Sequence, residues 1–153
     1  MPALELKIPP PLVTFLIGIA MWAVADMGPQ LGLPQTLRWA SALVIAVSGA
    51  AVTFAGILEF RRARTTVNPL NPEAASTLVT GGIYRVTRNP MYVGLALVLV
   101  AWAVYLSAAL PFLGLPLFVL YISVFQILPE ERAITIRFGA DFIQYTRRVR
   151  RWL

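Results

Sequence analysis

The sequence predicts an all-α fold: a polytopic membrane helical bundle of about four transmembrane helices with a C-terminal amphipathic interfacial helix. Three observations carry that prediction. The chain of 153 residues is 58% apolar and only 13% charged, too little polar surface to cover a soluble globule of its size. Its apolar residues gather into long uncharged runs, separated by stretches rich in Gly and Pro or in Arg. Those runs lack the period-2 alternation of a barrel strand, and backbone that crosses a bilayer must satisfy its own hydrogen bonds, which leaves helices. We expect one domain over residues 1–153, with spans at about 12–27, 38–58, 91–110 and 112–128, a cytoplasmic loop at 59–90 and the amphipathic helix at 130–150.

Pro9-Pro10-Pro11 cannot continue a helix from upstream, so it marks the start of the first span. Lys7, the apolar run behind it and Ala23-Val24-Ala25 also imitate a signal peptide with its small-residue cleavage site; we expect the segment to be retained as a span. Gly28, Pro29, Gly32 and Pro34 mark a loop. From Trp39 to Leu58 twenty residues carry no charge. At about 1.5 Å per residue they reach roughly 30 Å, enough to cross the hydrocarbon core. Ala42, Ala46 and Ala50 recur every four residues there, a small-residue stripe on which another helix of the same chain is expected to pack.

Residues 59–90 are polar, with Arg61, Arg62 and Arg64 at the membrane edge and Asn68-Pro69-Leu70-Asn71-Pro72 beyond. A connection this long in so small a protein tends to be functional, and Leu78, Val79 and Ile83 argue against disorder. Pro111 separates the third and fourth spans with almost no loop, which predicts a tight antiparallel hairpin, and Pro116 is expected to kink the fourth. After Pro129-Glu130-Glu131, the residues Ile134, Phe138, Phe142, Tyr145, Val149 and Trp152 recur at steps of three and four, one face of an amphipathic helix. Arg132, Arg137, Arg147, Arg148, Arg150 and Arg151 occupy its other positions, as expected of a helix lying on anionic headgroups, and Gly139 weakens its middle. Lys7, the loop arginines and the C-terminal arginines fall on one side of the four-span arrangement and only Arg38 on the other. The positive-inside rule therefore places both termini and the long loop in the cytoplasm, in a bacterial inner membrane.

The chain has neither Cys nor His, which removes zinc sites, thiolate nucleophiles, disulfides and a histidine base, so no metal is expected. Its net charge of +6 sits beside apolar runs, which favours anionic lipid headgroups over nucleic acid as partner. Chemistry concentrates in two places, Arg88-Asn89-Pro90-Met91-Tyr92 and Glu130-Glu131. Singly, each reads as a helix start: Asn caps, Pro suits the first position, and carboxylates favour the first turn. The hairpin joins them. The third span leaves the cytoplasmic side at Met91 and the fourth returns to it at Leu128, with axes about 8 to 10 Å apart, so two charged helix ends face one pocket.

Arg88-Asn89-Pro90-Met91-Tyr92-Val93-Gly94, followed by Glu130-Glu131 and then by Phe138-Gly139-Ala140-Asp141-Phe142, resembles the isoprenylcysteine carboxyl methyltransferase and phospholipid methyltransferase superfamily of membrane enzymes, over roughly residues 65–152. The resemblance implies an S-adenosylmethionine-dependent methyltransferase whose lipophilic acceptor enters from the bilayer. Tyr84, Arg88, Asn89, Pro90, Tyr92 and Gly94 would form one wall of the cofactor pocket, and Glu130 and Glu131 the other. Where the carboxyl-methylating branch commonly has His, this chain has Asn89, which is more like the phospholipid branch.

The residues themselves fit that chemistry. Adenosylmethionine needs an anion near its sulfonium and ribose diol, a cation for its carboxylate and apolar walls for adenine; Glu130 or Glu131, then Arg88, then Tyr84, Tyr92 and Leu95 supply them. In-line methyl transfer needs alignment and desolvation rather than a nucleophile on the protein, and a glutamate with a raised pKa, Glu130 or Glu131, is the candidate base. Two other readings remain: an NADPH-dependent membrane reductase related to sterol reductases, and a small non-enzymatic protein whose motifs cap helices and grip headgroups.

Overall fold

The structure, a computed structural model, describes residues 5–64 and 76–153; Asn68-Pro69-Leu70-Asn71-Pro72 lies outside them. The described residues fold into an all-helical bundle. Helix α1 spans Pro10–Ala23, α2 Gln35–Arg62, α3 Pro90–Leu106, α4 Gly114–Ile122 and α5 Leu128–Arg148, with short 3-10 turns at Ala25–Met27, Gly82–Arg85 and Leu110–Leu113. Among the described residues, three stretches are long and apolar enough to cross a membrane, Pro10–Met27, Gln35–Arg62 and Leu110–Arg148, and α3 is a shorter apolar helix of 17 residues. The last stretch is longer than a bilayer requires, and its apolar part ends where Pro129-Glu130-Glu131 begins.

Helix α3 is the centre of the bundle, in contact with α1, α2 and α4. Its tightest neighbour is α2. The small residues buried on α2 are Ala42, Gly49 and Gly56, spaced by seven, while Ala50 of the expected four-residue stripe is exposed to the outside. A repeat of seven means that the two helices cross at a shallow angle and stay in contact over their length, which a stripe of four would not sustain. A Cβ on Gly49 would lie 2.8 Å from the Gly94 carbonyl oxygen, and one on Gly94 would strike the Thr53 hydroxyl and lie 2.5 Å from the Gly49 carbonyl oxygen. The two backbones touch. On the opposite side of α3, Leu99 and Ala103 pack against Val13, Ile17 and Met21 of α1 and against Phe118 and Ile122 of α4.

Several expectations need correction. Pro116 does not kink the fourth span, because α4 starts at Gly114 and a proline in the first turn gives up no internal hydrogen bond. The irregularity comes later, as a π-turn at Ser123–Ile127. Pro129 does not open a separate helix either: Ile127 has helical backbone angles, and α4, the π-turn and the part of α5 before Gly139 run on as one rod. Lacking an N–H, Pro129 leaves the Phe125 carbonyl without its usual helical donor, and the Leu6 N–H takes it at 3.0 Å. Beside that bond the fully buried Gln126 donates Nε2 to the Ile8 carbonyl at 2.7 Å, which fastens the N-terminal segment to the start of α5. Gly139 breaks α5 outright, with φ of 50° and ψ of −121°. The helix ends at Arg148, so Arg150, Arg151 and Trp152 are not on its faces; Trp152 packs into the main core and donates Nε1 to Ser123 Oγ at 3.1 Å. The apolar face of α5 is covered partly from within: Phe142, Tyr145 and Val149 are buried with Ile134 and Phe138 against Leu78.

Gly94→Ala is expected to force α2 and α3 apart and destabilise the protein by about 1 to 3 kcal/mol. Ala50→Leu, on the exposed face of α2, should leave stability unchanged. Thermal unfolding of the two variants in detergent checks both expectations.

Candidate functional site

At the end of the bundle where α2 finishes, α3 begins and the fourth span turns polar, four pieces of chain converge. The 3-10 turn at Gly82–Arg85 delivers Tyr84, which is buried, with its ring edge-on to Phe60 at 5.5 Å. The Tyr145 hydroxyl donates to the Tyr84 carbonyl at 2.7 Å, tying this turn to α5. The conformation depends on Gly82, whose φ of 52° is left-handed and whose missing side chain leaves room for the Glu59 carboxyl; a Cβ there would lie 2.6 Å from its Cδ.

Asn89 occupies the N-cap position of α3, but its side chain caps nothing. Its Nδ2 donates instead to the Arg151 carbonyl at 2.8 Å. Around that bond the residues after α5 form a strap across the start of α3. The Arg88 N–H donates to the Arg150 carbonyl at 3.0 Å, Thr87 and Arg150 make an isolated parallel bridge, and the buried Thr87 hydroxyl lies between the Arg151 carbonyl at 3.3 Å and the Asn89 N–H at 3.1 Å. Pro90, fully buried, fixes the first turn of α3 against α2, where a Cβ on Gly56 would meet its ring at 3.1 Å.

The two glutamates take different partners. Glu131 is clasped by two arginines: Arg88 Nη2 reaches Oε1 at 2.8 Å, and Arg151 reaches Oε1 through Nε at 3.2 Å and Oε2 through Nη2 at 2.6 Å. Arg88 also directs Nη1 at the Thr146 carbonyl at 3.4 Å, while its buried Nε has no hydrogen-bond partner. Glu130 points the other way and accepts a hydrogen bond from the Tyr92 hydroxyl. Burial pushes the Glu130 carboxyl up to about 8; the Tyr92 hydrogen bond opposes that shift and the neighbouring Glu131 charge adds to it. Tyr84 and Tyr145 are also shifted upward, chiefly by burial, and the charge on Glu130 contributes at Tyr84 while that of Arg88 opposes the shift at Tyr145.

Of the residues singled out in the sequence, Tyr84, Arg88, Asn89, Tyr92, Glu130 and Glu131 are therefore brought to one place. Pro90 shapes the turn from behind. Gly94 faces α2 at the backbone contact described above, and Leu95 lines a groove of about 890 Å³ between α1, α2 and α3. Thr14 and Gly18 form one flank of that groove, Ala42 and Ala46 the other, and Leu99 and Trp102 the floor. Sequence reasoning missed Arg151, Thr87 and Tyr145. The extra arginine after the amphipathic repeat was visible, but as one more cation on a basic helix.

Among the described residues no group of His, Cys, Asp and Glu is arranged to hold a metal ion. Comparison with known proteins adds a family. Residues 37–141, more than half of the chain, match the family model for phospholipid methyltransferase. An uncharacterized protein of Haemophilus influenzae is 43% identical over 63 residues, which is 41% of this chain and the whole of that protein. No solved structure matches.

The Glu130 carboxyl generates a pH dependence. In the unfolded chain it ionises in the ordinary carboxylate range, whereas in the folded protein it holds its proton up to about 8. Between those values the fold carries one proton more, so its contribution to stability is complete at low pH and is lost as pH rises through about 8. Melting temperatures in detergent should fall over that interval for the native protein, and Glu130→Gln should flatten the dependence.

Proposed function

The chain belongs to the phospholipid methyltransferase family, and from that premise we propose that it transfers a methyl group from S-adenosylmethionine to a lipophilic acceptor at the cytoplasmic face of a bacterial inner membrane. The observation that carries this reading is the pairing of Arg88 with Glu131 and of Tyr92 with the adjacent Glu130, together with a buried Arg88 Nε that has no hydrogen-bond partner. A buried guanidinium N–H without an acceptor is costly, and a carboxylate ligand would satisfy it. Arg88 is thus the group for the amino-acid end of the cofactor, and Tyr84 and Tyr92 supply aromatic walls.

When bound near Arg88, Tyr84 and Tyr92, S-adenosylmethionine would supply an electrophilic methyl group to the acceptor's lone pair, the sulfur keeping the electron pair of the bond given up. The protein's part is alignment, exclusion of water and removal of a proton. Glu130, shielded and held by the Tyr92 hydroxyl, is the base that takes the proton from an amine or hydroxyl acceptor. Glu131 is already paired with two arginines and so is not free to act as the base. The groove that begins at Leu95, one turn along α3 from Tyr92, gives an acyl or prenyl chain an apolar bed; the Leu95 to Tyr105 stretch that lines it is about 15 Å long. The distribution of charge supports a cytoplasmic site, because Lys7 and the arginines of α2's end, the loop and the C-terminal region lie at this end of the bundle, while Arg38 lies at the other, donating Nε to the Tyr105 carbonyl at 2.8 Å.

Calorimetry on the purified protein should detect binding of S-adenosylhomocysteine and none of NADPH. Arg88→Ala should weaken it about ten-fold or more, the loss of a charge-assisted hydrogen bond. NADPH binding without a response to S-adenosylhomocysteine would favour the reductase. With radiolabelled S-adenosylmethionine and membrane lipid extract, the rate of transfer should rise with pH through about 8, and Glu130→Gln should abolish that rise.

A further inference from the structure

We propose that Arg151, in the strap after α5, is a positioning residue that keeps Arg88 available to the cofactor carboxylate. The inference rests on the cofactor reading above and deepens it. Glu131 has one carboxylate to share between two guanidiniums, and it shares unequally. Arg151 takes the two-pronged contact, Nε at 3.2 Å and Nη2 at 2.6 Å, whereas Arg88 makes a single bond through Nη2 at 2.8 Å. A lone carboxylate beside a guanidinium prefers to grip it through two parallel bonds. Without Arg151, Glu131 turns to Arg88 and takes up the Nε edge that is now unpartnered.

Charge leads to the same conclusion. Two guanidiniums against one carboxylate leave the cluster with one positive charge, which a ligand carboxylate would neutralise. Removing Arg151 leaves Arg88 and Glu131 neutralising each other, with nothing over for an anion. The strap itself does not depend on the Arg151 side chain. It is held by the Arg150 and Arg151 carbonyls, which accept from Arg88, Asn89 and Thr87, and by Trp152 bonded to Ser123. Truncating Arg151 therefore removes the clasp on Glu131 and leaves the chain path intact.

Two ligands separate positioning from structure. S-adenosylhomocysteine has the amino-acid carboxylate, and 5′-methylthioadenosine has the nucleoside and the sulfur without it. In calorimetry on the full chain in detergent, Arg151→Met is expected to weaken S-adenosylhomocysteine about ten-fold and to leave 5′-methylthioadenosine unchanged. Adding Glu131→Gln to that variant removes the competitor for Arg88, so the affinity should return to within about threefold of the native value. Equal losses for both ligands, an unchanged Arg151→Met, or a double variant as weak as the single one would each overturn the inference while leaving the cofactor reading in place. A native protein that binds neither ligand would overturn the cofactor reading, and this inference with it.

Discussion

The Glu131 carboxylate, gripped from both sides by Arg88 and Arg151, is the interaction on which the polar end of this bundle depends. It joins three segments distant in sequence: the entry to α3, the first turn of α5 and the strap that follows α5. Each ion is partly buried, and leaving any one of them alone would strand a charge away from water. The three side chains therefore satisfy one another's charge across these segments, while backbone hydrogen bonds hold the strap in place. Its neighbour Glu130, one residue earlier, points away from the arginines toward Tyr92 and stands in an environment that favours the neutral acid. Adjacent carboxyls thus take opposite surroundings, one held between two arginines and the other facing Tyr92, where burial raises its pKa.

This arrangement requires the helices beneath it to be set closely. Backbone contact at Gly49 and Gly94 fixes where α3 leaves the membrane, and the buried ring of Pro90 against Gly56 fixes how its first turn is oriented. On the other side, the π-turn at Ser123–Ile127 adds a residue to the helical register just before the glutamates and so changes the direction in which they project. Pro129 completes the arrangement by freeing a carbonyl for the N-terminal segment. Packing in the apolar part and chemistry in the polar part are in this sense one design problem, because small errors in the first would separate the residues of the second.

Much of this was legible in the sequence where the rule at work is local. Uncharged runs of sufficient length have one structural outcome in a bilayer, so the helical class followed from composition alone. The meeting of Arg88 and Tyr92 with Glu131 and Glu130 was legible because a tight hairpin leaves little choice about which ends come together. What escaped were features decided by tertiary contacts. The small-residue seam was read as Ala42, Ala46 and Ala50, since period four is the ordinary pattern on a single helix, whereas the shallow crossing of α2 and α3 selected Ala42, Gly49 and Gly56. Asn89 looked like a cap, and its amide is instead recruited by the strap. Arg151 and Trp152 continue the period of α5 in sequence, but Val149 is extended and turns the chain back toward α3. No periodicity argument detects a helix that stops early so that its tail can fold over the site.

In the proposed function the methyl donor sits between the start of α3 and the start of α5. Photo-cross-linking with radiolabelled S-adenosylmethionine, competed by unlabelled S-adenosylhomocysteine and followed by peptide mapping, tests it most directly. Competed label is expected on peptides that contain Tyr84 to Tyr92 or Glu130 and Glu131. Label that is not competed, or that maps to α1 or to the exposed face of α2, would contradict it.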